Sequence, residues 1–209
     1  MAKLPKPDPA KIASAGAAYG VTQQVLWRLH APTDPASPMR WDQLRTFGPL
    51  TTARFDPWPP PPSDRSADPV TSGVGYLGFD IAACLAEMFQ ANRHISTTRG
   101  ALQLSAFEPR RQLRLLNLRN GWPIAIGASH AINSGPKNRC RSWAQSIREV
   151  HPDCDGLLFT GMAGRDCAVL YTPPGGVFPG SPAFTKPLSD PGLASYIADA
   201  AEQLGYALD

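Results

Sequence analysis

Long apolar runs are missing from this chain of 209 residues. None approaches the roughly 20 residues that a membrane-spanning helix needs. The opening MAKLPKPDPAK also lacks the apolar core of a secretory signal. The expectation is a soluble, cytoplasmic protein with no membrane contact. Charge is scarce as well. Asp, Glu, Lys and Arg make up 18% of the residues and the net charge is +3, too little to argue for direct nucleic-acid binding. The four cysteines, Cys84, Cys140, Cys154 and Cys167, show no CxxC or Cys–His ligand spacing. Free, mostly buried thiols are expected and a metal site is not. His30, His94, His130 and His151 are scattered in the same way.

Apolar residues, by contrast, reach 43%, enough for one sizeable core and one domain with extensions. Much of the proline lies at positions 57–62 and toward the two ends, which marks loops and not core strands. Asp8 and Pro9 read as the N-cap and first residue of a short helix ending near Gly20. Strands are predicted at Val25–His30, Tyr76–Leu77, Leu102–Phe107, Leu113–Leu118, Gly156–Thr160 and Ala168–Tyr171. Helices are predicted at Ile81–Arg93 and Arg141–Val150. A last one starts at Ser189–Pro191 and stops at Gly205. Residues 31–75 read as a long, functional loop with a short helix around Trp41–Arg45. Strands and helices mix without regular βαβ alternation, so the fold class is α+β.

Gly73 to Phe89, GVGYLGFDIAACLAEMF, is the most informative stretch. It reads as a short strand, a tight turn and a helix capped by Asp80. Ile81, Cys84, Leu85, Met88 and Phe89 recur at helical spacing, and Glu87 lies at the margin of that apolar stripe. An acid there can be partly desolvated and aimed into a cleft, although a single flank glutamate is more often simply solvated. The stretch also matches G-x-G-x-x-G. A dinucleotide fold would need a preceding strand and an acid about 20 residues later, and neither is present. The glycines are read instead as giving a tight turn around Tyr76.

Arg28, alternating with apolar neighbours in VLWRLH, and Arg54, just before a proline-rich turn, are candidate pyrophosphate clamps. A guanidinium fork matches phosphate oxygens and stays charged; an isolated arginine more commonly makes a surface ion pair. Tyr76 could stack on a ring and donate a hydrogen bond, or be a core tyrosine. Arg110, Arg111, Arg114 and Arg119 read as a solvated strand edge.

VLWRLH, ARFDPW, GYLGFDIAACLAEMF and DGLLFTGMAGRDCAVLY, in that order, resemble the RES domain family, named for an Arg, a Glu and a Ser. The likeness runs from about Val25 to Tyr171. It implies an ADP-ribosyltransferase-like fold of mixed sheets flanked by helices. It divides the chain into an N-terminal helical extension at 1–24, an NAD-binding catalytic domain at 25–175 and a C-terminal extension with one helix at 176–209. It also implies an NAD-degrading toxin that cleaves the nicotinamide–ribose bond and passes ADP-ribose to phosphate, held in check by an antitoxin with a helix-turn-helix domain. A mono-ADP-ribosyltransferase and a catalytically weak nucleotide-binding module are the alternatives. On this resemblance Arg28 and Arg54 hold NAD, Tyr76 is the active-site tyrosine and Glu87 is the glutamate beside the ribose. The family serine falls at Gly161. Either Thr160 supplies the hydroxyl at the nucleotide or the hydroxyl is absent.

Overall fold

The computed structural model describes residues 4–35, 38–58, 73–171 and 176–209. The centre is an eight-stranded mixed sheet. In chain order its strands are β1 (Tyr19–Thr22), β2 (Leu26–His30), β3 (Val74–Gly78), β5 (Gln103–Phe107), β6 (Leu113–Asn117), β7 (Gly156–Thr160), β8 (Asp166–Tyr171) and β9 (Phe184–Pro187), arranged β1-β6-β7-β8-β3-β2-β5-β9. Only β6 and β7 run parallel; every other neighbour pair is antiparallel. A two-stranded parallel ribbon joins β4 (His94–Ile95) to β10 (Ala207–Leu208). The helices are α1 (Pro9–Ser14), α2 (Ile81–Phe89), α3 (Trp122–Ala125), α4 (Lys137–Val150) and α5 (Ala194–Leu204). The expected α+β architecture, a mixed sheet flanked by helices, is the one observed.

Alternation along the strands explains how the layers divide. Tyr76, Leu157, Phe159, Cys167, Val169 and Tyr171 face a core shared with Trp143 and Ile147 of α4 and Ile12 of α1. Leu29 and Leu104 meet Leu85 of α2 and Ile197 of α5 in a second cluster. Leu77, Leu158, Ala168 and Leu170 point to a third, covered by the side chains of Trp41, Leu44 and Phe178. The four cysteines are free and buried, as expected.

Several boundaries differ from the sequence reading, each for a local reason. The first helix stops at Ser14, followed by Gly16 at φ +65°, and Tyr19–Thr22 is a strand paired with β6. α4 begins at Lys137, because Cys140 extends the buried stripe of Trp143, Ala144 and Ile147 by a turn. α2 ends at Phe89, four residues short of Arg93, which sits at φ +52°. No helix forms around Trp41–Arg45. The Trp41 and Gln43 carbonyls there accept from Arg28, and Arg45 makes a strand-like bridge to Val74. Gly75 and Gly78 lie within β3 and not in a turn. A Cβ at Gly78 would stand 2.8 Å from Cys84 Sγ and 2.9 Å from Ala83 Cβ, so this glycine lets α2 pack directly on the strand. Of the arginines read as a solvated edge, Arg111 pairs with Asp155, Arg119 with Asp166, and Arg114 lies over the Tyr19 ring. No helix among the described residues is long and apolar enough to cross a membrane.

Candidate active site

A cavity of about 690 Å³ opens over the middle of the sheet, within the range of about 300–1,000 Å³ usual for small-molecule and cofactor sites. Glu87 and its neighbours on α2 form one side, and Asn133, Ser134 and Lys137 at the start of α4 form the other. Tyr76, Phe159, Gly161 and Cys167 come from β3 and the β7–β8 hairpin, and Arg45 and Arg54 close the remaining wall.

Glu87 is the one carboxylate among the described lining residues. Its place on the stripe margin, half-buried, brings it against the turn after β7. Glu87 Oε1 accepts from the Met162 amide at 2.7 Å, and Oε2 lies 3.4 Å from Gln90 Nε2. The carboxylate is therefore held from two elements. Arg54 also reaches the cavity. Its Nη1 donates to the Gly135 carbonyl at 2.5 Å and lies 3.4 Å from Cys140 Sγ, which anchors the guanidinium beside the first turn of α4. Among the described residues neither Arg54 nor Lys137 has a carboxylate partner. An arginine, a lysine and the positive end of a 14-residue helix thus border the same space.

Tyr76 lines the cavity with its ring, but its hydroxyl is committed elsewhere. It donates to Asp56 Oδ1 at 3.0 Å and accepts from the Phe55 amide at 2.9 Å. Burial, and then the Asp56 charge, push this phenol well above its ordinary range. The hydroxyl is not available to donate into the cavity as the sequence suggested; the ring is what remains. Asp56 itself is fully buried and also takes both contacts of Arg45 Nη2, at 2.7 and 2.8 Å, and the Leu50 amide at 2.8 Å. The Arg45–Asp56–Tyr76 network fixes the wall that carries Arg54. Sequence reasoning missed its first two members. Asp56 stood in the quoted Arg-Phe-Asp-Pro fragment without a role, and Arg45 fell in a segment misread as a helix.

Arg28 is placed differently from its expected role. It does not line the cavity. Only 6% of it is exposed, and Nη1 donates to the Trp41 and Gln43 carbonyls. Burial lowers its pKa to about 10, which leaves it charged near neutrality. The adjacent inward position does similar work. His30 Nδ1 stands 3.1 Å from the Met39 carbonyl, so this nitrogen carries the proton, and Nε2 accepts from Ser105. The two side chains pin residues 39–43 to β2 and clamp protein, not phosphate.

Thr160 is likewise not in the cavity wall, although Phe159 and Gly161 on either side of it are. Residues alternate across a strand, and Thr160 pairs with Asp166 while Phe159 pairs with the cavity-lining Cys167. No bulge shifts the register, so Thr160 is not the hydroxyl donor. The space at Gly161 is not empty either. A Cβ there would stand 2.6 Å from Glu87 Oε1 and 2.6 Å from Cys167 Sγ. A side chain there would meet the carboxylate. Cys84 and Cys167 line the cavity as inert thiols. Burial pushes Cys84 up to about 12 and moves Cys167 in the same direction, the Glu87 charge adding to the latter.

Such a cavity suits a ligand with an anionic middle and a ring at one end, with one fixed carboxylate beside the bond between them. The sequence model of the RES domain family matches residues 25–186. No curated protein matches the chain. Among solved structures, the crystal structure of the M. tuberculosis MbcT–MbcA toxin–antitoxin complex is similar with a TM-score of 0.58 at 16% identity. The match covers 91% of this chain and 96% of that one.

Proposed function

The chain belongs to the RES domain family, and on that premise we propose that it is an NAD-consuming enzyme that transfers ADP-ribose to phosphate. The observation that carries the reading is a single carboxylate, Glu87, held by the Met162 amide in a cavity it shares with Arg54 and Lys137, two cations with no carboxylate partner among the described residues. The pyrophosphate lies against Arg54, Lys137 and the first turn of α4, where charge-assisted hydrogen bonds are strongest. The Tyr76 ring offers a face to the nicotinamide. As the nicotinamide–ribose bond breaks, its electron pair stays on the ring nitrogen, cancels the pyridinium charge and lets nicotinamide leave neutral. Positive charge grows on the ribose carbon, and Glu87 stabilises it while binding ribose hydroxyls. An oxygen of phosphate then bonds to that carbon, giving ADP-ribosyl phosphate.

The biological role that follows is that of a toxin, restrained by a protein antitoxin carrying a helix-turn-helix domain. The RES family and the toxin–antitoxin complex among its structural neighbours support this role.

Purified protein incubated with NAD and phosphate should release nicotinamide and form a phosphorylated ADP-ribose, read by chromatography and ³¹P NMR. Glu87→Gln keeps the volume and removes the charge, so turnover should fall by about 10²-fold or more, as when a preorganised electrostatic group is lost. Undiminished turnover in folded Glu87→Gln would remove Glu87 from the mechanism. Label from NAD appearing on protein would mark a mono-ADP-ribosyltransferase, and binding without nicotinamide release a nucleotide-binding module.

A further inference from the structure

We propose that Gly161 and the Met162 amide form the seat of the Glu87 carboxylate, which makes Gly161 a positioning residue of the reaction. The proposal rests on the NAD-consuming reading above for its kinetic consequence, but not for its geometry.

Gly161 has φ −83°, outside the left-handed region, so its backbone conformation does not demand glycine. Space does. The position a Cβ would take is bounded by Cys167 Sγ on one side and Glu87 Oε1 on the other, each at 2.6 Å, with Glu87 Cδ at 3.4 Å. Cys167 is buried on β8 and paired with Phe159, whereas the carboxylate is the free end of a flexible side chain. A side chain at 161 would therefore push Glu87 aside and break its bond from Met162.

The turn that presents this amide is tied to α2 independently. The Gly161 amide donates to the Arg165 carbonyl at 2.7 Å and closes the turn. Arg165 Nη1 donates to Asp80 Oδ2 at 3.1 Å, and Asp80 caps the helix that carries Glu87. Arg165 Nη2 reaches Gln203 of α5 at 2.5 Å. Inside the turn Ala163 is held at φ +55°, a conformation that costs alanine energy and persists only where its surroundings impose it. One ion pair and one amide–carboxylate bond thus link the hairpin turn to α2, and the second of these exists only because position 161 has no side chain.

The test is a cycle of Gly161→Ala, Glu87→Asp and the double variant, with kcat, KM for NAD and the thermal unfolding midpoint read for each. In the parent, Gly161→Ala should lower kcat by about 10²-fold, the cost of a misplaced catalytic group, with KM changed less than about twofold. In the Glu87→Asp background the shorter acid withdraws from the contested space. The same alanine should then cost less than about threefold in kcat and lower the midpoint by less than it does in the parent. Met162→Pro, which deletes the amide that Glu87 accepts from, should lower kcat well below Met162→Ala. Equal effects of Gly161→Ala in both backgrounds, or equal kcat in the two Met162 variants, would overturn the proposal. Coupling in the unfolding midpoints without any NAD turnover by the parent protein would leave the seat standing and sink the NAD reading. NAD turnover without coupling would do the reverse.

Discussion

Arg28 and Arg54 look alike in the sequence, one guanidinium each among apolar neighbours, and the structure gives them different work. Arg54 spends Nη1 on the Gly135 carbonyl and still borders the cavity with Lys137. Arg28 directs Nη1 to two carbonyls of a neighbouring segment and does not line the cavity. A charge-assisted bond to phosphate contributes about 1.5–3 kcal/mol. Arg54→Ala and Lys137→Ala should each weaken NAD binding by at least about tenfold. Arg28→Ala should instead lower the unfolding midpoint, because it leaves the Trp41 and Gln43 carbonyls without their buried donor. Calorimetric titration beside a thermal melt separates the two effects. An unchanged affinity in both Arg54→Ala and Lys137→Ala would show that the pyrophosphate lies elsewhere.

At the scale of the element, the β7–β8 hairpin shows how strand period decides chemistry. Phe159 stacks near Phe55 and Tyr76, with centroids 4.8 and 6.5 Å away, so it belongs to the cavity face. Thr160 must then project from the opposite face, and its amide donates to Asn133 Oδ1 at 3.3 Å. Thr160→Val removes the hydroxyl and keeps both the β-branched shape and the amide. Turnover should stay within about twofold of the parent, since no catalytic contact is lost. A tenfold drop in a variant of unchanged melting temperature would reverse the assignment of this face.

For the molecule as a whole, the match to the family begins at residue 25, yet the packing begins earlier. β1 supplies the edge strand beside β6. Trp143 Nε1 donates to the Pro5 carbonyl and Trp122 Nε1 to that of Gly16. Leu4 and Ile12 are buried in the same core as Phe159. Burying a large aliphatic side chain contributes about 1.5–3 kcal/mol, against a total of about 5–15 kcal/mol for a typical domain. A chain starting at residue 25 should therefore lose its cooperative thermal transition or melt far below the full chain. Calorimetry showing a midpoint within a few degrees of the parent would make residues 4–22 a detachable extension. At the other end, β9 pairs with β5, so residues 184–187 also belong to the sheet.

Local chemistry was legible from the chain alone. Asp80 caps α2, Gly205 stops α5 at φ +64°, and the period of Ile81 to Phe89 places Glu87 on a stripe margin. These features depend on residues within a few positions of one another, so spacing and side-chain type suffice to read them. The pairing of Glu87 with the Met162 amide, the burial of Asp56 between Arg45 and Tyr76, and the separate duties of Arg28 and Arg54 span up to 81 positions. Strand order decides them: β8 lies between β7 and β3, which brings the late hairpin to the early helix. Gly161 is the sharpest case. A glycine by itself signals backbone freedom or empty space, and only the approach of a side chain from position 87 shows that the space is occupied.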